Sequence, residues 1–441
     1  MRIPRLTPAT CGTFLTALPL LTFAAVAQAS SPALTRLHDF TGNDSDGANP
    51  YAGVVGGPGG VLYGTTLWGG TGACSDCGTA FSLTPPASPG GVWTESVHTL
   101  PLASGLRPYA GLTLSPGGTV YGAGYDGGAC GFGAVFELKP PAFSGGAWEE
   151  KPVYTGFCNP LTGGYLKAGV VIGSGGVLYG TSIYGGGGNG TSAEPGAVYE
   201  LTPPAAAGGT WSFAAIHGFG FAVGDGSAPT TGVTVGSGGV LYGTLGNGGT
   251  AGHGMVYSLT PSALPGGAWT ETILYSFGSG SNGGSDGANP QAGVVIGTGG
   301  VLYGTTESGG PSNDGTVYSL APPSSPGGAW TETILHSFAG GSHGATPTAG
   351  VAIGRGGVLF GTTNSGGSSN EGTVFALSPP ATPGGTWADR ILHSFTGGSD
   401  GGNPQGGLII SGGGVLYGTT YAGGTGLACS GGCGTVFSLV P

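Results

Sequence analysis

Apolar residues along this chain alternate with small polar ones in short runs, and most runs are bounded by Gly-Gly, Pro-Pro or Asn-Pro. The stretch Gly299-Gly300-Val301-Leu302-Tyr303-Gly304-Thr305-Thr306, followed by Gly309-Gly310 and by Gly315-Thr316-Val317-Tyr318-Ser319-Leu320, shows the pattern at its clearest. A period of two with β-branched enrichment predicts short antiparallel strands, and no segment carries a helical period. The central aromatic recurs as Tyr63, Tyr121, Tyr179, Tyr242, Tyr303, Phe360 and Tyr417, at spacings of 58, 58, 63, 61, 57 and 57 residues. Each copy divides into four strands; in the fifth these are predicted over Gln291–Gly297, Val301–Thr306, Thr316–Ala321 and Trp330–Phe338. Four antiparallel strands per unit, repeated seven times, predict an all-β, seven-bladed β-propeller.

The two ends predict how the ring closes. The last copy supplies three strands, Gln405–Ile410, Val415–Thr420 and Thr435–Leu439, and the chain then stops at Pro441. Leu34-Thr35-Arg36-Leu37-His38-Asp39-Phe40 matches fourth strands such as Ile334-Leu335-His336-Ser337-Phe338, so the N-terminal strand is expected to complete blade seven and to cover an edge otherwise open to pairing. In such a meander the second-to-third loops share one face with the connections between blades. That face collects the inserts and the Asp-Gly-x-Asn-Pro turns, and binding is expected there.

Composition changes the picture in three ways. Gly and Pro number 103 and 33, a richness that would suggest disorder in an aperiodic chain, but here the glycines fall at fixed turn positions. Arg2 and Arg5, the apolar run Phe14–Val26 and Ala27-Gln28-Ala29 form a signal peptide over residues 1–29, leaving residues 30–441 as one repeat domain in a secreted or periplasmic protein. Without the leader, seven basic residues stand against 20 acidic ones, a net charge of −13. Nucleic acid and anionic membrane are disfavoured as partners, no later segment is apolar enough to insert, and a monomer is expected.

The motifs Gly-Gly-Val-Leu-Tyr-Gly-Thr-Thr-x-x-Gly-Gly, Gly-Thr-Val-Phe/Tyr-Ser-Leu-x-Pro-Pro and Gly-Gly-x-Trp-Thr-Glu-Thr-Ile-Leu-His-Ser-Phe resemble the GloVer tandem-repeat family of exported bacterial proteins across the mature chain. The resemblance implies a secreted or surface-associated repeat protein and brings no catalytic residues with it. Members often end in a sorting anchor; this sequence ends at Pro441 with none, so covalent surface attachment is not expected.

Candidate chemistry lies in the departures from the repeat. Trp93, Trp148, Trp211, Trp269, Trp330 and Trp387 share one position and are expected to pack between blades. Trp68 falls outside that pattern and is the better stacking candidate. His38, His98, His217, His336 and His393 also share a position and read as structural, whereas His253 lies in a loop, as do the unmatched acids Asp126, Asp225 and Asp314. These five residues, Trp68, Asp126, Asp225, His253 and Asp314, are the candidate binding residues. The Asp-Gly-x-Asn-Pro turns could offer oxygens to calcium, but a turn in which Asp bonds downstream backbone and the residue before Pro is extended is the simpler reading. Six cysteines remain after the leader. Cys74 and Cys77, with Cys429 and Cys433, would fit zinc, yet export favours two small disulfides, with Cys130 and Cys158 as the third bridge. No metal or cofactor is therefore assigned. The expected function is binding of a glycan or a cell-surface partner through one loop face, with a polysaccharide hydrolase or lyase, or a structural envelope protein, as the alternatives.

Overall fold

The structure is a computed structural model and describes residues 32–441 except 44, 72–75, 89, 142–145, 160, 187–194, 207, 221–223, 265, 279–283, 326 and 383. The leader and Cys74 thus lie outside the described residues. Among the described residues, no helix is long and apolar enough to cross a membrane.

Seven four-stranded antiparallel sheets form the ring of a seven-bladed β-propeller, each running from a short innermost strand to a long outermost one. In blade five the strands are Val295–Ile296, Leu302–Thr306, Thr316–Ala321 and Thr331–Ser337. Blade seven takes Ile409–Ile410, Leu416–Thr420 and Thr435–Val440 from the end of the sequence and Ala33–Asp39 from its beginning. The closing register runs from Ala33 opposite Val440 to Asp39 opposite Thr435. The N-terminal strand therefore completes the last blade.

The repeated motif explains the blade residue by residue. Gly299 has φ 72° with nothing within 4 Å of where a Cβ would stand, so glycine serves the backbone angle there. Gly304 serves space instead, because a Cβ would strike the Tyr318 ring. Thr305 Oγ1 donates to Ala349 O of the next blade at 2.9 Å, and Thr65, Thr181, Thr244 and Thr419 repeat that bond at 2.9 Å to Ala110, Thr231, Ala292 and Ala52. The motif aromatic packs edge-on against the Trp of the following blade, as in Tyr303–Trp387 at 6.4 Å and Tyr63–Trp148 at 6.2 Å. Tyr417–Trp93, at 6.4 Å, carries the same contact across the closure. The apolar core consequently lies between blades: Phe40, Leu62, Phe81 and Leu83 pack with Val436 of the last repeat.

Two expectations need correction. The innermost strands pair over two residues rather than seven, because the residues before them leave the sheet to wall the central opening. There Gly53, Gly111, Gly169, Gly232, Gly293, Gly350 and Gly407 form a ring in which each is packed against the carbonyl of the glycine one blade earlier. The residue before Pro is not extended either: Asn49, Asn289 and Asn403 have φ of 56°, 53° and 50°. Asn tolerates this left-handed region, and the reversal lets its N–H reach the preceding blade, as in Asn49 N to Cys433 O at 2.7 Å. The same left-handed turn admits the chain to the other four blades, through Arg107, Tyr165, Ala228 and Thr346. The turn Asp does bond its downstream backbone, Asp46 Oδ1 accepting from Gly47 N at 2.7 Å, and it accepts from Thr41 N and Thr41 Oγ1 at 2.8 Å as well.

Candidate functional site

The inter-blade connections and the second-to-third loops are tied together on one face. Gly47–Ala48 pairs with Trp68–Gly69 and Gly226–Ser227 with Asn247–Gly248. Single bridges such as Leu106 to Asp126, Gly164 to Tyr184 and Gly402 to Ala422 do the same in other blades. A rigid ring thereby presents two sets of variable loops as one surface.

At the centre of this face is an opening of about 600 Å³. The residue two places before each ring glycine lines it: Tyr51, Tyr109, Lys167, Thr230, Gln291, Thr348 and Gln405, joined by Glu307 and Asn364. The seven equivalent positions are chemically lopsided, aromatic at the entry to blades one and two and amide or hydroxyl at blades four to seven. Lys167 Nζ lies 6.0 Å over the Tyr51 ring, and burial holds its ammonium below the usual lysine range against the pull of Glu307. Burial, then the neighbouring Tyr109 and Glu307, pushes the Tyr51 phenol up, so it stays a neutral donor.

From the opening a run of rings crosses toward blade three. Tyr421 meets Tyr51 at 6.3 Å, Tyr51 meets Tyr109 at 5.2 Å, Tyr109 meets Tyr125 at 5.2 Å and Tyr125 meets Tyr165 at 5.1 Å. Tyr165 in turn contacts Phe132 at 5.4 Å and Tyr184 at 5.6 Å. The run ends in a groove of about 650 Å³ lined by Tyr125, Phe132, Tyr165, Tyr184 and Asn159. Tyr184 is 50% and Phe132 39% exposed, so the groove presents large apolar surface to solvent. The Cys130–Cys158 disulfide pins the loop carrying Asn159 to blade two and fixes one wall of the groove. At the other end of the run, Trp68, Tyr421, Asn49 and Asp76 line a third depression of about 330 Å³ beside the Cys429–Cys433 disulfide. Cys77 is also in a disulfide.

Of the five candidate residues, two belong to this surface. The Arg107 guanidinium lies 5.8 Å over Trp68 and 5.9 Å over Tyr125, and it pairs with Asp126. Asp126 thus holds the cation that bridges the two aromatics. The other three serve the seams between adjacent blades. Asp225 accepts from Gly220 N at 2.7 Å and Gly226 N at 2.8 Å and joins His217 and Glu271 between blades three and four. His253 hands its carbonyl to Asn289 N at 2.8 Å, and Asp314 hands its own to Thr346 N at 2.9 Å. The tyrosines were not singled out from the sequence, although a signal existed: Tyr51 and Tyr109 occupy the most variable position of an x-Ala-Gly motif kept in five of the seven copies, and Tyr421 and Tyr125 follow the second strand where other copies carry Glu307 or Asn364.

Comparison with solved structures returns matches of low identity. The periplasmic gluconolactonase PpgL of Pseudomonas aeruginosa aligns with TM-score 0.49 and 16% identity over 79% of this chain and 86% of its own. A candidate 6-phosphogluconolactonase of Bacteroides uniformis aligns with TM-score 0.48 and 14% identity over 84% and 89%. Likeness at this level carries no argument about this chain. No curated protein matches the sequence. The family described as the Gloeobacter/Verrucomicrobia repeat matches residues 24–193 and 188–437, and with the motif, the blade and the closure all repeated across that span, the chain belongs to this family.

Proposed function

We propose that this protein is an exported binding module that holds an uncharged polysaccharide across its loop face. The observation that carries the reading is the unbroken aromatic run from Tyr421 through Tyr51, Tyr109 and Tyr125 to Tyr165, flanked by amides and hydroxyls from the opposite blades. Apolar faces with a few placed polar groups are what sugar rings need, since their C–H faces stack on aromatics while their hydroxyls hydrogen-bond. Charge points the same way. Lys167 is balanced by Glu307 and Arg107 by Asp126, and the acidic excess of the whole chain repels polyanions. Export rests on the leader together with the disulfides.

An enzyme of the paired-acid kind would want two carboxylates facing one cavity. Among the described residues lining the central opening there is one, Glu307. Retention on a panel of immobilised neutral and acidic polysaccharides tests the proposal. Neutral chains should be retained by the wild type and released by Tyr125→Ala with Tyr165→Ala; retention of acidic chains alone, turnover of a chain, or no retention by the wild type would overturn it.

A further inference from the structure

Between two pairs of blades, a histidine and two carboxylates converge from separate parts of the chain. His38 is the penultimate residue of the outermost strand of blade seven, Asp46 sits in the connection after it, and Glu95 stands on the outermost strand of blade one. His217, Asp225 and Glu271 repeat the arrangement between blades three and four. In each trio, one ligand-type atom per residue lies within 4.8 Å of the other two.

Neither trio is closed by well-aligned hydrogen bonds of its own, although Asp46 interacts with both His38 and Glu95. His38 Nε2 is 3.3 Å from Glu95 Oε1 and 3.6 Å from Asp46 Oδ1, and His217 Nε2 is 3.5 Å from Glu271 Oε2. His38 Nε2, Glu95 Oε1, His217 Nε2 and Glu271 Oε1 are sealed from solvent without a hydrogen-bond partner. Buried polar atoms are costly in that condition. Two other seams show what the same position does with a single carboxylate: His98 Nε2 closes on Glu150 Oε2 at 2.5 Å and His393 Nε2 on Asp400 Oδ2 at 3.0 Å. At the seam of blades five and six, His336 Nε2 and Asp389 Oδ1 are also unpartnered, but residues 339–345 bring no acid to make a third ligand.

The imidazole-to-carboxylate separations given above have a simple interpretation, the remaining edges of each trio being bounded at 4.8 Å. Ligands about 2.0–2.2 Å from a tetrahedral cation stand roughly 3.3–3.6 Å from one another. One imidazole nitrogen and two carboxylate oxygens, with no thiolate, form a donor set for zinc and its first-row neighbours more than for calcium, which asks for six to eight oxygens. We propose that each trio binds one divalent cation of the zinc class, with the fourth position left to water. Each ion would tie two blades together, and the first would tie the closing strand of blade seven to blade one.

Tag-free protein stripped with a chelator and titrated with zinc tests this. Two equivalents should bind, the melting temperature should rise on zinc addition, and Glu95→Gln and Glu271→Gln should each remove one equivalent. Cobalt(II) added to the wild-type chain should give the intense visible bands of a four-coordinate site and saturate at two equivalents, a readout that stands even where a variant fails to fold. Absence of those bands, binding of calcium in place of zinc, or a stoichiometry unchanged in a folded double variant would overturn the proposal.

Discussion

Thr419 Oγ1 donates a 2.9 Å hydrogen bond to the carbonyl of Ala52, joining the last repeat of the chain to the first. Thr419→Val keeps the shape and leaves that part-buried carbonyl without this donor, at a cost of about 1 kcal/mol or more. Thr305→Val breaks the same bond within the ring and should cost as much. Urea midpoints of the two variants check this; no shift in either would show the bond to be dispensable.

The clasp itself is the next test. Phe40 is fully buried and meets Phe81 of blade one edge-on at 5.1 Å. Phe40→Ala should cost about 3–5 kcal/mol, and removing residues 30–40 should also bare the edge at Thr435–Val440 and promote association. Calorimetry and light scattering read the two effects separately.

Stability should fall as pH rises toward neutrality. Burial, then the charge of Asp286, pushes the Glu332 carboxyl up to about 7. The folded state therefore holds a proton that the unfolded chain has released above its ordinary value, so this contribution is full below about 4.5 and is lost as pH passes 7. His217 works in the opposite sense, because burial lowers it and its contribution grows as pH rises toward 6.5. Glu332→Gln isolates the carboxyl, since its seam carries Tyr275 in place of histidine, with Tyr275 donating to Asp286 at 2.9 Å. The wild type should lose stability between pH 5 and pH 8, and the variant should lose less. Equal slopes in denaturation would contradict the assignment.

Reduction should act on the groove before it acts on the ring. The Cys130–Cys158 bridge spans 28 residues, and loop entropy alone makes its loss worth about 3–4 kcal/mol. Replacing both cysteines with serine should weaken polysaccharide retention while the blade sheets persist. Unchanged retention would separate the groove from the binding surface.

The architecture was legible because every blade states it again. Val317 and Tyr318 alternate as Val374 and Phe375 do, and Leu34–Phe40 can be matched to six other outermost strands. The Trp contacts followed from the same repetition. What stayed hidden depends on neighbours in the ring rather than in the chain. Tyr51 and Tyr421 face each other from opposite ends of the sequence, and Glu95 reaches His38 only because blade one abuts blade seven. The left-handed Asn49 was hidden for a different reason: the usual restriction on a residue before Pro points to an extended backbone, and the hydrogen bond from its N–H to Cys433 overrides it.

The glycines around the axis set a limit on how such a protein can change. Gly53 rests on Gly407, Gly111 on Gly53, and so on until Gly407 rests on Gly350. Each blade is thus both tenant and landlord to its neighbours, and at Gly53 and Gly169 a side chain would displace the carbonyl it rests on. Loops such as those of Trp68 and Tyr184 can be rewritten one at a time. The axis is least tolerant at Gly53 and Gly169, and a blade added or lost must bring its own glycine and reclose the circle at a new angle.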